Sequence, residues 1–254
     1  MKVNYHTHTT ISDGKLSPEN LIKLAIKKKF SILGITDHYR FPKGFRSWGT
    51  KRYLDKNYNE LKSLQKRYSN KIKILINVEF DWFPEYKKWI INESKKRKYD
   101  YKFVSIHFLK VGKDYFPIDH DEKTLKKIID KIGSAKKVVK LYYKNLRQGI
   151  KTSCFDVVGH LDIIKTYNKN KKYFSYNEKW YQKEVYKTLK LIKKKNMLLD
   201  LNTKGLRKPC AEQYPSLEIL RQAKDMGIKY LIGTDAHSGE ELEFGFDKID
   251  KFKN

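Results

Sequence analysis

Ile32-Leu33-Gly34-Ile35-Thr36-Asp37-His38 is a short, mostly apolar run that ends on an acid and a histidine. Apolar, β-branched stretches of this length read as buried strands. A carboxylate and an imidazole placed directly after such a strand point to a site at its C-terminal end. Upstream, Ser17-Pro18-Glu19 supplies an N-cap, a proline for the first helical turn and an early acid, which predicts a helix running to about Lys29. Earlier still, residues 3–6 form another short strand that leads into His6-Thr7-His8. Strand, helix, strand is the unit of a parallel α/β fold. The alternation continues with predicted strands at residues 72–78, 103–106, 157–159, 197–201 and 230–233. Predicted helices cover about residues 53–68, 86–98, 125–146, 178–195 and 216–226, the last closed by Gly227. Residues 110–123 and 167–177 read as polar loops, and no repeat or linker divides the chain, so one domain over residues 1–254 is expected.

Composition is compatible with a folded enzyme. Hydrophobic residues make up 39% of the chain and aromatics 14%, enough for a full core beside 33% charged residues. The formal charge of +27 is spread as short lysine runs along predicted helices. That pattern describes solvated helix faces and a field attractive to anionic substrates rather than a nucleic-acid-binding patch. No apolar run has membrane-spanning length, and Met1-Lys2 leads straight into the first strand, so a cytoplasmic protein without a membrane partner is expected. Cys154 and Cys210 are far apart and belong to no CxxC pair, which suggests neither a disulfide framework nor a cysteine metal site.

The histidines decide the chemistry. Of 7 in the chain, His6, His8, His38, His107, His160 and His237 all fall at or just past the ends of predicted strands. Asp13, Asp37, Glu79 and Asp235 accompany them. Strand C-termini of a parallel barrel converge on one face, so these residues are expected to meet there. Imidazole and carboxylate together suit zinc, manganese or iron. Residues i and i+2 of an extended segment project to one side, which allows His6 with His8, and Asp235 with His237, to serve one ion. His120, in a charged loop, reads as a surface residue.

The joint pattern of HTHT, SDG, TDH, VEF, SIH, VGH and GTDAH, running from His6 to His237, resembles the polymerase and histidinol phosphatase (PHP) family. The resemblance implies a distorted seven-stranded (β/α)7 TIM-like barrel with a trinuclear metal centre. By position it implies one metal on His6, His8, Glu79 and Asp235, a second on Glu79, His107 and His160, and a third on Asp13, His38 and His237. Asp37 would orient a neighbouring ligand. Leu201-Asn202-Thr203-Lys204-Gly205-Leu206-Arg207-Lys208, Tyr214-Pro215-Ser216 and Gly159-His160-Leu161-Asp162 followed by Lys165 are similar to the histidinol-phosphatase branch, although Lys204 replaces an expected small residue.

A small-molecule phosphate monoester, L-histidinol phosphate, is therefore the implied substrate. Hydroxide generated on metals that share Glu79 would attack phosphorus, with no serine or cysteine nucleophile needed. Arg207 is chemically apt to meet the phosphate, with Lys165 and Lys204 as further substrate-binding candidates. Catalysis would fall to Glu79, Asp235, His237 and Arg207. Trp48, Trp82 and Phe83 are expected in the core. The metal residues do not choose the ester, so a phosphotyrosine or nucleotide phosphoesterase is the alternative within hydrolases. A basic nucleic-acid-binding module is the alternative outside them, and the sequence leaves the oligomeric state open.

Overall fold

In the computed structural model, which describes residues 2–42 and 55–249, β1 (Lys2–Thr7) and β2 (Phe30–Ile35) run parallel with Val3 opposite Ile32 and Asn4 opposite Leu33. Between them, α1 (Pro18–Lys27) starts where the sequence places it. The Ser17 hydroxyl accepts from the backbone N–H of Asn20 at 3.3 Å, and Leu21, Ile22 and Ala25 turn inward. After α2 (Asp55–Arg67), β3 (Lys73–Ile76) joins the other side of β2 and completes a three-stranded sheet.

The strand expected over residues 72–78 is two strands. Asn77 is fully buried and its side-chain amide donates to the Tyr5 carbonyl at 2.9 Å, while its backbone N–H donates to Ile35 at 2.9 Å. A side chain thus occupies a position the ladder would otherwise fill, and the chain turns out of the first sheet. From Val78 onward, β4 (Val78–Asp81) pairs instead with β5 (Lys102–Ser105). This second, five-stranded parallel sheet has the order β10-β9-β8-β5-β4, where β8 is Val157–Val158, β9 is Leu198–Asn202 and β10 is Tyr230–Gly233.

The two sheets meet at both margins through single parallel bridges, Thr7 with Ala236 and His38 with Glu79. The described residues therefore form two parallel sheets in contact rather than one continuous closed barrel. Both contact points fall at the ends of strands that carry the acid and histidine motifs.

Three other expectations change. Residues 125–146 are not one helix, because α4 (Glu122–Ile132) stops at Gly133, whose φ of 97° is open to glycine without penalty. Ser134 then caps α5 (Ala135–Lys151). The loop expected over residues 110–123 contains an antiparallel hairpin of β6 (Phe108–Val111) and β7 (Asp114–Pro117), after which Asp121 caps α4 by accepting from Thr124 at 2.6 Å. The helix expected over residues 86–98 is the shorter α3 (Lys87–Ser94). The helices α6 (Lys179–Lys194) and α7 (Leu217–Asp225) match their predicted ranges, with Gly227 at φ 66° behind α7, and α8 (Phe246–Ile249) ends the described chain.

One apolar cluster runs through both sheets and includes Trp82 and Phe83, as expected. Trp48 lies outside the described residues. Cys154 and Cys210 are both free thiols. No helix among the described residues is long and apolar enough to cross a membrane.

Candidate metal centre

Glu79 lies at the middle of the site. It sits in β4, fully buried, and its two carboxylate oxygens face different groups of imidazoles. Oε1 accepts from the Ser105 hydroxyl at 2.6 Å and lies 3.0 Å from His160 Nε2 and 3.7 Å from His107 Nε2. Oε2 lies 3.0 Å from His38 Nδ1, 3.6 Å from His6 Nε2 and 3.7 Å from His8 Nε2. Gly159 makes room for this arrangement, since a Cβ there would stand 2.2 Å from the Ser105 hydroxyl oxygen that holds Glu79.

The remaining donors close around this carboxylate. His6 Nε2 faces His8 Nε2 at 3.2 Å, His107 Nε2 faces His160 Nε2 at 3.1 Å, and Asp235 Oδ1 lies 3.2 Å from His8 Nε2. At the outer edge, Asp13 reaches His237 at 3.3 Å, His38 at 3.7 Å and His8 at 3.8 Å. Three sets of side chains have donor atoms close enough to share an ion. They are His6, His8 and Asp235; His38, Glu79 and His107; and His8, Asp13, His38 and His237.

The residues present fit metal ions on a specific ground. Glu79 Oε2 is buried with no hydrogen-bond partner although three imidazoles surround it, an expensive condition for a carboxylate oxygen that a shared cation relieves. Facing pairs of imidazole nitrogens at hydrogen-bond distance point the same way, because two lone pairs require something positive between them.

Electrostatics favours the ligating forms of Glu79, Asp235 and His8. Burial alone would raise the Glu79 carboxyl, but His107, His38 and His6 outweigh it and hold the group well below the usual carboxylate range. Asp235 is likewise held low against its burial by Lys204, His6 and His8. Burial, reinforced by the neighbouring His237 and His38, pushes His8 well below its ordinary value and favours the neutral ring that ligates a metal.

Two carboxylates missed by the sequence reading orient the rings. Asp200, buried in β9, accepts from His6 Nδ1 at 2.9 Å and from the backbone N–H of His160 at 3.3 Å. Asp81 accepts from His107 Nδ1 at 2.6 Å, and together with Glu79 it pushes His107 up to about 9 against the effect of burial. A carboxylate can only accept, so in each pair Nδ1 carries the proton and Nε2 is left for a metal. Asp37, expected to orient a ligand, instead ties the turn between two of them. It accepts from the Thr9 N–H and hydroxyl, both at 2.7 Å, and from the Ser12 hydroxyl at 2.6 Å, which fixes the segment from His8 to Asp13.

A cavity of about 240 Å³ opens over the outer edge of the cluster. Asp13, His38, His107 and His237 form its floor, and Phe108, Pro117, Asp119, His120, Lys204 and Lys208 line the rest. Of the three sequence candidates for substrate phosphate, only Lys204 is here, with Nζ 3.1 Å from Asp235 Oδ1. Lys165 is fully buried against Asp162 at 2.9 Å and Glu212 at 3.1 Å, so its charge is spent within the protein. Arg207 is also turned away from the cavity. It donates to the Thr234 carbonyl at 3.0 Å and the Asp235 carbonyl at 2.8 Å, and pairs with Glu241 at 3.2 Å. Lys208, unremarked as a site residue in the sequence, takes the position at the cavity wall, where burial and the charge of Lys204 lower its pKa.

The contacts of Arg207 explain an irregularity at Asp235, whose φ of 52° is left-handed and uncommon for a residue with a side chain. The guanidinium grips the two carbonyls of that turn. Arg207→Ala is therefore expected to lower the melting temperature by about 5 °C, from hydrogen bonds to a charged group worth roughly 2 kcal/mol. Thermal unfolding of the purified variant checks this, and an unchanged melting temperature would restore Arg207 as a free anion binder.

Parallel strands that gather imidazoles and carboxylates at their C-terminal ends define the α/β proteins built around a metal cluster. The chain belongs to the PHP domain family, whose model matches residues 4–204. It is 27% identical over 238 residues to the histidinol-phosphatase of Bacillus subtilis, covering 88% of each chain. Among solved structures it resembles a Listeria monocytogenes protein described as a histidinol phosphatase, with a TM-score of 0.89, 22% identity and coverage of 97% of this chain and 99% of that one. It also resembles the histidinol phosphate phosphatase of Lactococcus lactis complexed with zinc, L-histidinol and phosphate, with a TM-score of 0.74, 23% identity and coverage of 99% and 94%.

Proposed function

We propose that this chain is a metal-dependent phosphatase that hydrolyses L-histidinol phosphate to L-histidinol and phosphate. The observation that carries the reading is the donor-free, buried Glu79 Oε2 ringed by His6, His8 and His38 beneath a cavity with lysines on its wall. The substrate follows from the similarity to histidinol phosphatases over most of the chain's length. We read the two bridged sheets as the distorted barrel of the family and residues 1–254 as one domain.

Three ions, of zinc, manganese or iron, are proposed. One would be held by His6, His8, Glu79 and Asp235, one by Glu79, His107 and His160, and one by Asp13, His38 and His237. When bound, such ions supply Lewis acidity, making water acidic enough to act near neutral pH and drawing charge from phosphoryl oxygens. Glu79 keeps two of the positions in register. Asp235, 3.1 Å from Lys204 and 3.2 Å from His8, is kept charged by them and so stays available as a ligand. Lys204 and Lys208 bring positive charge to the phosphate as it enters.

The outer position is tested separately. Asp13→Ala and His237→Ala are each expected to reduce bound metal by about one ion per chain while the other two positions stay loaded. Elemental analysis of the purified variants measures this, and unchanged stoichiometry in both would remove the third ion.

For the reaction itself, the test is phosphate release by the metal-loaded protein from L-histidinol phosphate, phosphotyrosine and nucleoside monophosphates. L-Histidinol phosphate should give the highest kcat/KM by at least about tenfold. A higher value on either of the others would reassign the substrate.

A further inference from the structure

Two charged groups at the cavity have close partners among the described residues. Asp13 faces three imidazoles, and Lys204 faces Asp235. Asp119 lines the same cavity, yet its carboxylate makes no hydrogen bond or ion pair with any described residue. Its backbone, by contrast, is fixed. The preceding residue, Ile118, is fully buried and donates to the His107 carbonyl at 2.9 Å, and the Asp119 carbonyl accepts from the Tyr167 hydroxyl at 3.0 Å. The hairpin of β6 and β7 thus delivers an unpartnered carboxylate to a fixed place beside the metal ligands.

For a site that admits only a phosphate dianion, this carboxylate is a defect. It would repel the incoming phosphate, and more strongly in a cavity shielded from water than in bulk solvent. Lys204 and Lys208 lie near enough to feel this charge, but neither comes within ion-pair distance, so the carboxylate oxygens stay open to a partner on the substrate. The arrangement becomes favourable when the substrate carries a positive group of its own, so that phosphate meets Lys204 and Lys208 and the cation meets Asp119. Phe108 and Pro117 lie in the same wall and offer an apolar surface for the body of the alcohol.

We propose that Asp119 selects the alcohol half of the substrate by accepting a cationic amine, restricting the enzyme to phosphate monoesters of amino alcohols. This rests on the phosphatase reading above and adds a specificity-determining residue to it. Lys204 has a companion role, since in place of the small residue expected from the sequence it extends positive charge over the phosphate side of the cavity.

The experiment is steady-state phosphate release by metal-loaded wild type and Asp119→Asn, each with L-histidinol phosphate and with 4-nitrophenyl phosphate, which has no amine. The substitution keeps shape and removes only the charge. The ratio of kcat/KM for L-histidinol phosphate to that for 4-nitrophenyl phosphate is expected to fall by about thirtyfold or more, chiefly through KM for the aminated ester. A structural role would lower both values together and leave the ratio unchanged, and that result would overturn the proposal. Wild type that releases phosphate from neither ester would overturn the phosphatase reading itself, and this inference with it.

Discussion

Glu79→Ala is expected to reduce turnover of L-histidinol phosphate by at least about 10³-fold, the largest effect of any single substitution in the chain. Its oxygens lie between two groups of imidazoles, His160 and His107 on one side and His6, His8 and His38 on the other. Removing the carboxylate leaves five rings converging on a space that has lost its central negative charge. Metal content should fall with activity, which separates this result from loss of a group acting only on protons. Glu79→Gln is the informative control. It preserves shape and an acceptor for the Ser105 hydroxyl, which donates to Oε1 at 2.6 Å, so the fold should survive while the bridging charge is gone. Elemental analysis beside phosphate-release kinetics reads both outcomes. A Glu79→Ala protein with full activity and full metal content would dismiss the shared-ligand arrangement.

The parallel α/β pattern was legible because each strand is short, apolar and followed by a polar motif, and because helix signals such as Ser17-Pro18-Glu19 sit where the structure uses them. What escaped were features decided by single side chains in three dimensions. Asn77 looks like an ordinary residue inside an apolar run, and only the position of the Tyr5 carbonyl, 72 residues away, turns it into the point where one strand becomes two. Gly133-Ser134, a glycine followed by an N-cap residue, is a helix break that the apolar periodicity continuing on both sides of it masks.

Within the site, residue type and strand-end position found the imidazoles and carboxylates the structure gathers, because few side chains other than ligands place histidines repeatedly at one end of a sheet. Direction was harder to read. Charge and the similarity to the histidinol-phosphatase branch point to Arg207 and Lys165, but neither reveals whether a guanidinium or ammonium faces a cavity or a nearby carbonyl or carboxylate. Asp81 and Asp200 did carry a signal. Each is an acid inside a run of buried strand residues, Asp81 two positions after Glu79 and therefore on the same side of β4. A buried acid in a central strand needs a donor, and in this chain the plentiful buried donors are imidazoles.

Asp200 carries the second large effect. It accepts from the His6 ring, from the backbone N–H of His160 at 3.3 Å and from the Asn202 side chain at 2.8 Å, so one carboxylate positions groups belonging to two proposed metal sites. Asp200→Ala leaves these buried donors without an acceptor, at a cost of about 1–3 kcal/mol for each one that stays unsatisfied. That variant is expected to fold poorly. Asp200→Asn retains an oxygen that can accept from His6 and loses only the charge, which separates orientation from stability. Without the charge the His6 ring is a weaker donor to metal, and affinity should fall by about 10- to 100-fold while the melting temperature of the metal-free protein stays near that of wild type. Activity should then return as added metal is raised, reaching a kcat close to wild type at saturation, because no group that touches the phosphate has changed. A titration of activity against metal concentration distinguishes the cases. A variant that needs no more metal than wild type would mean that Asp200 merely fills space in β9.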